Sequence, residues 1–241
     1  MIKFFRKIRK NLLNEGKTTK YFKYAIGEIV LVVIGILIAL QINNWNQEYQ
    51  ERNAEKKVIA DLKASLINTE SQLGDLILIY KSNLERMNYV VDQLNSRRPL
   101  DDELKMSFHH IESYPEPLFE IGVYDNFKIN SLQLIKNDRL KTAIIQFYEA
   151  QLPSIGHKLS NNMESVVITS LMPLNVQNFS YGDNAMMTPN DYERLLNNQQ
   201  YFNAISYMSA IKEFALSEIQ RVLETVKFLI DDVVTYQNQI E

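Results

Sequence analysis

YAIGEIVLVVIGILIALQINNWN, residues 24–46, is the stretch on which the reading of this chain turns. From Ala25 to Ile42, 18 residues, it is apolar apart from Glu28 near one end and Gln41 near the other. At about 1.5 Å per residue a helix of that length covers roughly 27 Å, close to the ~30 Å hydrocarbon thickness of a bilayer. Tyr21 and Tyr24 stand at one end and Trp45 at the other, where amphipathic rings favour the membrane interface. Soluble helices of this length are seldom apolar on every side, so the stretch predicts a transmembrane helix over residues 24–45.

What flanks the helix sets its direction. Before Ala25 lie eight basic residues, Lys3, Arg6, Lys7, Arg9, Lys10, Lys17, Lys20 and Lys23, opposed only by Glu15. Residues 1–23 therefore form a basic arm of charge +7, held in the cytoplasm by the positive-inside rule. The run ends in IALQINNWNQ, which lacks the small residues of a signal-peptidase site, so an uncleaved signal-anchor is expected. Residues 46–241 carry about -9 and form the external domain. In a Gram-negative cell this means a single-pass inner-membrane protein with a periplasmic C-terminal domain. Phe4, Phe5, Ile8 and Leu12 can share one helical face in the arm, fitting either a short helix on anionic lipid or a solvated topogenic arm.

Glu28 is an ionisable group inside the span, and such groups are functional candidates. It has a strong reading, a proton-relay carboxylate of the kind used by single-span partners of ion-driven motors. It also has a plainer one. Lying about one turn inside the cytoplasmic edge, it can snorkel to the headgroups or pair with Lys20, Lys23 or a neighbouring chain. The plainer reading is preferred. Gly27, Gly35 and Ala39 share nearly one stripe, and small residues let helices approach closely in lipid. The expected partners are the bilayer and a second copy or another membrane protein.

The stretch MIKFFRKIRKNLLNEGKTTKYFKYAIGEIVLVVIGILIALQINNWNQ resembles the N-terminal signature of a domain-of-unknown-function family of single-span membrane proteins from Bacteroidetes-type Gram-negative bacteria. The likeness is strongest in the basic arm and in GEIVLVVIGILIALQINNWN. It is looser through IYKSNLERM and YDNFKINSLQLIKNDRLKTAIIQFYE. The resemblance implies an anchored helical protein and no catalytic residue.

The external domain reads all-α, as an antiparallel helical bundle with long first and last helices. Gly and Pro are scarce, at 7 and 6, and helix formers dominate. Ile59, Leu66, Leu73, Tyr80, Met87 and Leu94 recur every seven residues, and Leu62, Thr69, Leu76, Asn83 and Val90 form the interleaved row of a flawed heptad seam. Arg97-Arg98-Pro99 ends that helix, and Asp101 and Asn137-Asp138 open others. Pro153 is expected to kink or split its helix. Residues 173–189 read as one long loop, and Thr188-Pro189 as the start of a helix. The last helix, about 199–239, places Tyr201, Ala204, Met208, Ile211, Ala215, Ile219, Val222, Val226, Leu229, Val233 and Tyr236 on one face.

Chemistry is not signalled. With no cysteine, disulfides, Cys-ligated zinc and thiol catalysis are excluded. P-loop, GxGxxG, GxSxG and HExxH motifs are absent. Of the three histidines, His109 pairs with Glu112 at i, i+3, two ligands short of a zinc site, and both read as helix-surface residues. Asp231-Asp232 reads as a solvated face, and the YGDNAMMTPN segment as either a sticky loop or a plain connection. An acidic domain disfavours nucleic acid. The expectation is a protein with no enzymatic activity, catalytic residue, metal or cofactor: an anchored interaction, scaffold or sensor-like protein. The alternative is an energy-coupling subunit working through Glu28.

Overall fold

In a computed structural model, the protein is described over residues 18–115, 119, 122–182 and 186–240, apart from the side chains of 18–21, 122, 123, 126, 130 and 157–160. It divides into two compact units, Met1–Glu55 and Lys56–Glu241. One helix, α1 (Thr18–Asn95), is continuous through the boundary, as the absence of Gly and Pro between residues 46 and 73 leads one to expect. The sequence between α1 and the last helix supplies α2 (Asp102–Glu112), α3 (Gly122–Asn130), a 3-10 turn (Leu132–Leu134) and α4 (Asp138–Gln146). It then supplies α5 (Leu152–Val166), α6 (Met172–Asn178), a two-stranded hairpin of β1 (Phe179–Tyr181) and β2 (Met187–Pro189), and α7 (Tyr192–Leu196). The long α8 (Gln199–Ile240) closes the chain.

The second unit is a bundle built on the heptad seam. Ile59, Leu66, Leu73, Tyr80, Met87 and Leu94 are all buried, and so is every member of the interleaved row, Thr69 and Asn83 included. Thr69 turns its hydroxyl back onto the Ser65 carbonyl at 3.0 Å, which satisfies a polar group that the apolar seam could not. Ser65 Oγ lies 2.9 Å from Tyr148 Oη, and Tyr80 Oη donates to Met163 Sδ at 3.5 Å. Both pairs join residues 83 apart, so α1 and the α4–α6 stretch run parallel and in step. α8 runs the other way. Arg97, just past the end of α1, bonds Asn197, just before α8, while Glu70 adds to the field that raises the Lys227 pKa, behind the larger effect of Glu224. The first and last helices are thus antiparallel, as expected, with the α4–α6 stretch completing the core.

Two prolines are accommodated rather than obeyed. Pro153 removes an amide donor and crowds the carbonyl four residues back. The chain widens into a π turn over Phe147–Gln151, in which Leu152 N–H reaches the Phe147 carbonyl. Pro173 receives the same treatment over Val167–Leu171, with Met172 N–H on the Val167 carbonyl. The α-helix is thus interrupted just before Pro153, as expected, but by a widened turn rather than a loop, and α4, α5 and α6 follow one another directly. The expected loop from residue 173 is also corrected. Met172–Asn178 is helical because Pro173 occupies a first-turn position, where no amide donor is needed. Phe179 then buries against Phe108 and Tyr201, at ring-centre distances of 4.8 and 5.5 Å, and opens the hairpin. Thr188-Pro189 lies in β2 rather than at a helix start. Asp191 caps α7 instead, its carboxylate accepting from Arg194 N–H at 3.0 Å.

The other helix starts follow the sequence. Asp101 accepts from Leu104 N–H at 2.8 Å, and Asn137 from Leu140 N–H at 3.1 Å. The end of α1 is a Schellman turn: Arg98 N–H reaches the Gln93 carbonyl and Arg97 N–H the Leu94 carbonyl, each at 3.1 Å. Arg97 sits in its left-handed position with φ 48°, the one such non-glycine among the described residues. A side chain there costs about 1–2 kcal/mol relative to glycine.

Candidate functional site

The first unit places the singled-out residues of the apolar stretch along one helix. From Phe22 to Gln50 nearly every residue is exposed, with Ile29 at 63%, Leu37 at 59% and Trp45 at 74%. Tyr24 and Lys23 are exposed as well. Ala25 and Glu28 are the half-buried exceptions before Glu51, and one Glu28 carboxylate oxygen is covered. A Cβ added at Gly27 or Gly35 would meet nothing within 4 Å, and Ala39 is exposed, so the small-residue flank is open to a second helix. Among the described residues α1 is the one helix long and apolar enough to cross a membrane. Lys3, Arg6, Lys7, Arg9, Lys10 and Lys17 lie outside the described residues, as do the side chains of Lys20 and Tyr21.

The second unit holds a polar centre that no sequence motif marks. Lys212 lies on the inward stripe of α8 between Met208 and Ala215, with no exposed surface. Its ammonium donates to the carbonyls of His110, Ile111 and Ser113 at 3.0, 3.2 and 2.6 Å. These are among the last carbonyls of α2 and its C-terminal neighbour, which have no partner within the helix. Burial lowers the Lys212 pKa to about 8, so the side chain stays charged at neutral pH while it caps that end. The His110 pKa is lowered too, first by burial and then by Arg86, His109 and Lys212.

Beside this cap, Asn175 Nδ2 donates to Glu112 Oε2 at 2.8 Å, while His109 Nδ1 lies 3.7 Å from Glu112 Oε1. Glu112 thus sits at the edge of a packed layer, while the His109 side chain, 44% exposed, stays on the helix surface. No third His, Cys, Asp or Glu joins them to make a metal-binding group among the described residues. The His157 side chain lies outside those described. Tyr201 is fully buried, and its hydroxyl has no hydrogen-bond partner among the described residues. Asp231 and Asp232 are exposed on α8. Met187 is fully buried, so the hairpin plugs the core and the sticky-loop reading of this methionine is withdrawn.

A family of unknown function, DUF6090, matches residues 28–152, slightly more than half the chain. The chain belongs to that family. No curated protein and no solved structure matches it. The DUF6090 match starts at Glu28 and runs through the seam of α1, the α2 cap and Tyr148 to Leu152. Lys212, which holds the end of α2, lies beyond the matched range. Sequence reasoning missed Lys212 although a signal existed: an inward stripe stepping from Met208 to Ala215 passes through a lysine.

Proposed function

We propose that this DUF6090 protein is a membrane-anchored helical interaction protein of the Gram-negative inner membrane. Its basic arm is cytoplasmic, residues 24–45 cross the bilayer as an uncleaved signal-anchor, and the helical unit is periplasmic. The observation that carries the reading is the exposure of large apolar side chains all round α1 before Glu51, a surface that water disfavours and acyl chains do not. The helical unit acts by binding, with no catalytic step, and its association is with a second copy or another membrane protein through the open Gly27–Gly35–Ala39 flank.

The absence of cysteine permits a clean test. Single replacements Lys10→Cys and Asp232→Cys report the two sides. A membrane-impermeant maleimide is expected to label Asp232→Cys in intact spheroplasts and Lys10→Cys only after lysis. The reverse pattern would overturn the topology, and recovery of both variants in the soluble fraction would overturn the anchor. Purification in mild detergent then reads the interaction: a defined oligomer or a stoichiometric membrane protein is expected, and an isolated monomer argues against it.

A further inference from the structure

Beside the π turn that ends at Gln151, the second unit carries an open pocket of about 170 Å³ between the start of α5 and the middle of α8. Most of its open surface is apolar, and Ala150 and Phe214, both exposed, are among the residues that line it. The volume falls below the about 300–1,000 Å³ of small-molecule sites. It is close to the roughly 150 Å³ of an apolar cavity that holds a benzene ring.

Two polar groups in the lining suit an aromatic ring in particular. Gln151 Oε1 is covered and has no hydrogen-bond partner among the described residues. Arg221 is held by Glu218, with Nη2 donating to Oε2 at 2.8 Å and Nε to Oε1 at 3.3 Å. An aromatic ring has a positive edge and a negative face. The edge complements an oxygen left without a donor, and the face complements a fixed guanidinium. An aliphatic side chain offers neither.

The chain itself presents such rings beside the pocket. Tyr207, Phe214, Arg221 and Phe228 recur every seven residues on α8, and the three aromatic members are each more than half exposed. A ring-sized pocket and an exposed aromatic row in one patch make that patch self-complementary, which is what a two-fold contact requires. Two copies held in one bilayer by the same span stand parallel, so each residue of α8 meets its counterpart at the same level. Phe214 is the aromatic member of the row that lines the pocket, and so stands level with the pocket of the other copy. We propose that a second copy of this chain docks along α8, and that each Phe214 enters the pocket of the other copy. The two rings then meet at the two-fold axis, and Arg221 of each copy stays balanced by its own Glu218. This inference rests on the anchored reading, which makes the copies parallel, and adds to it the identity of the partner.

The test uses the full chain in intact membranes. Phe214 replaced by p-benzoylphenylalanine keeps an aromatic ring and makes it photoreactive. Irradiation is expected to give an adduct of twice the chain mass, cross-linked to residues 150–155 of the other copy. In mild detergent, Phe214→Ala is expected to weaken self-association at least tenfold, as loss of an aromatic anchor does. Its melting temperature should not change, because the ring is exposed in the single copy. Ala150→Trp fills the pocket from within and should weaken self-association to a similar degree. No adduct, an adduct to a different protein, or self-association unchanged in both variants would overturn the proposal. Fractionation separates it from the anchored reading: wild-type chain in the soluble fraction removes the anchor, whereas an anchored chain that gives no adduct sinks the pocket alone.

Discussion

Two segments of α1 are both rich in Ile, Leu and Val, and they do opposite things with them. Before Glu51 the apolar side chains point outward in every direction, Ile29, Val32, Leu37 and Trp45 alike. From Val58 onward most are sorted: Ile59, Leu66 and Leu73 are buried to the last atom, the positions between carry Asp61, Lys63 and Glu70, and Ile67, Leu78 and Ile79 are the large apolar side chains left exposed. Arrangement, more than amount, separates the two. A helix with one apolar stripe folds against protein, and a helix with no polar face is left facing a solvent of its own kind.

The sharpest way to break this comparison is to put the same charge in each segment. Leu66→Arg buries an unpaired guanidinium in the seam, and more than about 4 kcal/mol of destabilisation is expected, with loss of the cooperative melt by circular dichroism. Leu37→Arg opposes membrane insertion by about 2.5–3.5 kcal/mol, seen as a shift out of the membrane fraction, with the melt of the helical unit unchanged. Next in size, Leu73→Ala opens a cavity in the seam and should cost about 2–5 kcal/mol. Leu37→Ala, its counterpart in the exposed segment, should leave that melting temperature where it was.

Lys212→Met keeps the volume but leaves the His110, Ile111 and Ser113 carbonyls without their donor. A cost of about 2–3 kcal/mol is expected, with faster amide exchange confined first to α2. Its pH dependence has a definite sign. The Lys212 pKa falls from 10.5 to about 8 on folding. Below pH 8 both folded and unfolded chains hold the proton and the contribution is flat. Between about 8 and 10.5 only the unfolded chain holds it, so this group makes stability rise with pH across that window. The rise should be absent from Lys212→Met when the two melts are compared at matched pH. The smallest effect is expected from Glu28→Gln, with membrane fraction and melting temperature both unchanged. If that substitution instead abolishes cellular function with the protein still in place, the energy-coupling reading of Glu28 displaces the interaction reading.

How much of this was legible beforehand follows the same physical division. The seam could be read because the row from Ile59 to Leu94 repeats every seven residues and every member points inward, even though Thr69 and Asn83 interrupt the row beside it. The caps at Asp101 and Asn137 could be read because one side chain and one nearby amide decide them. The π turns could not, because Pro153 and Pro173 announce a lost donor but not how the helix will absorb it. The hairpin was hidden in a polar, Gly-containing run whose register depends on Phe179 finding Phe108 and Tyr201, far away in sequence. Lys212 was hidden by its own type: a lysine on an inward stripe is interpretable only once three carbonyls of another helix are seen to converge on it. The contact of Arg97 with Asn197 joins residues 100 apart, and no local pattern records that meeting.

The matched spacing of Ser65 with Tyr148 and of Tyr80 with Met163 also bears on how the chain is made. A ribosome delivers residue 65 well before residue 148, and at about 5–20 residues per second those 83 positions take roughly 4–17 s to appear. Once residue 94 has been made the seam of α1 is complete as a helix face, while Tyr148 and Met163 are still to come. α8, which shares the same core, is delivered later still. The core of the bundle therefore closes only late in synthesis, with its longest helix waiting for the rest, and that waiting period is when a newborn chain is most exposed to wrong partners.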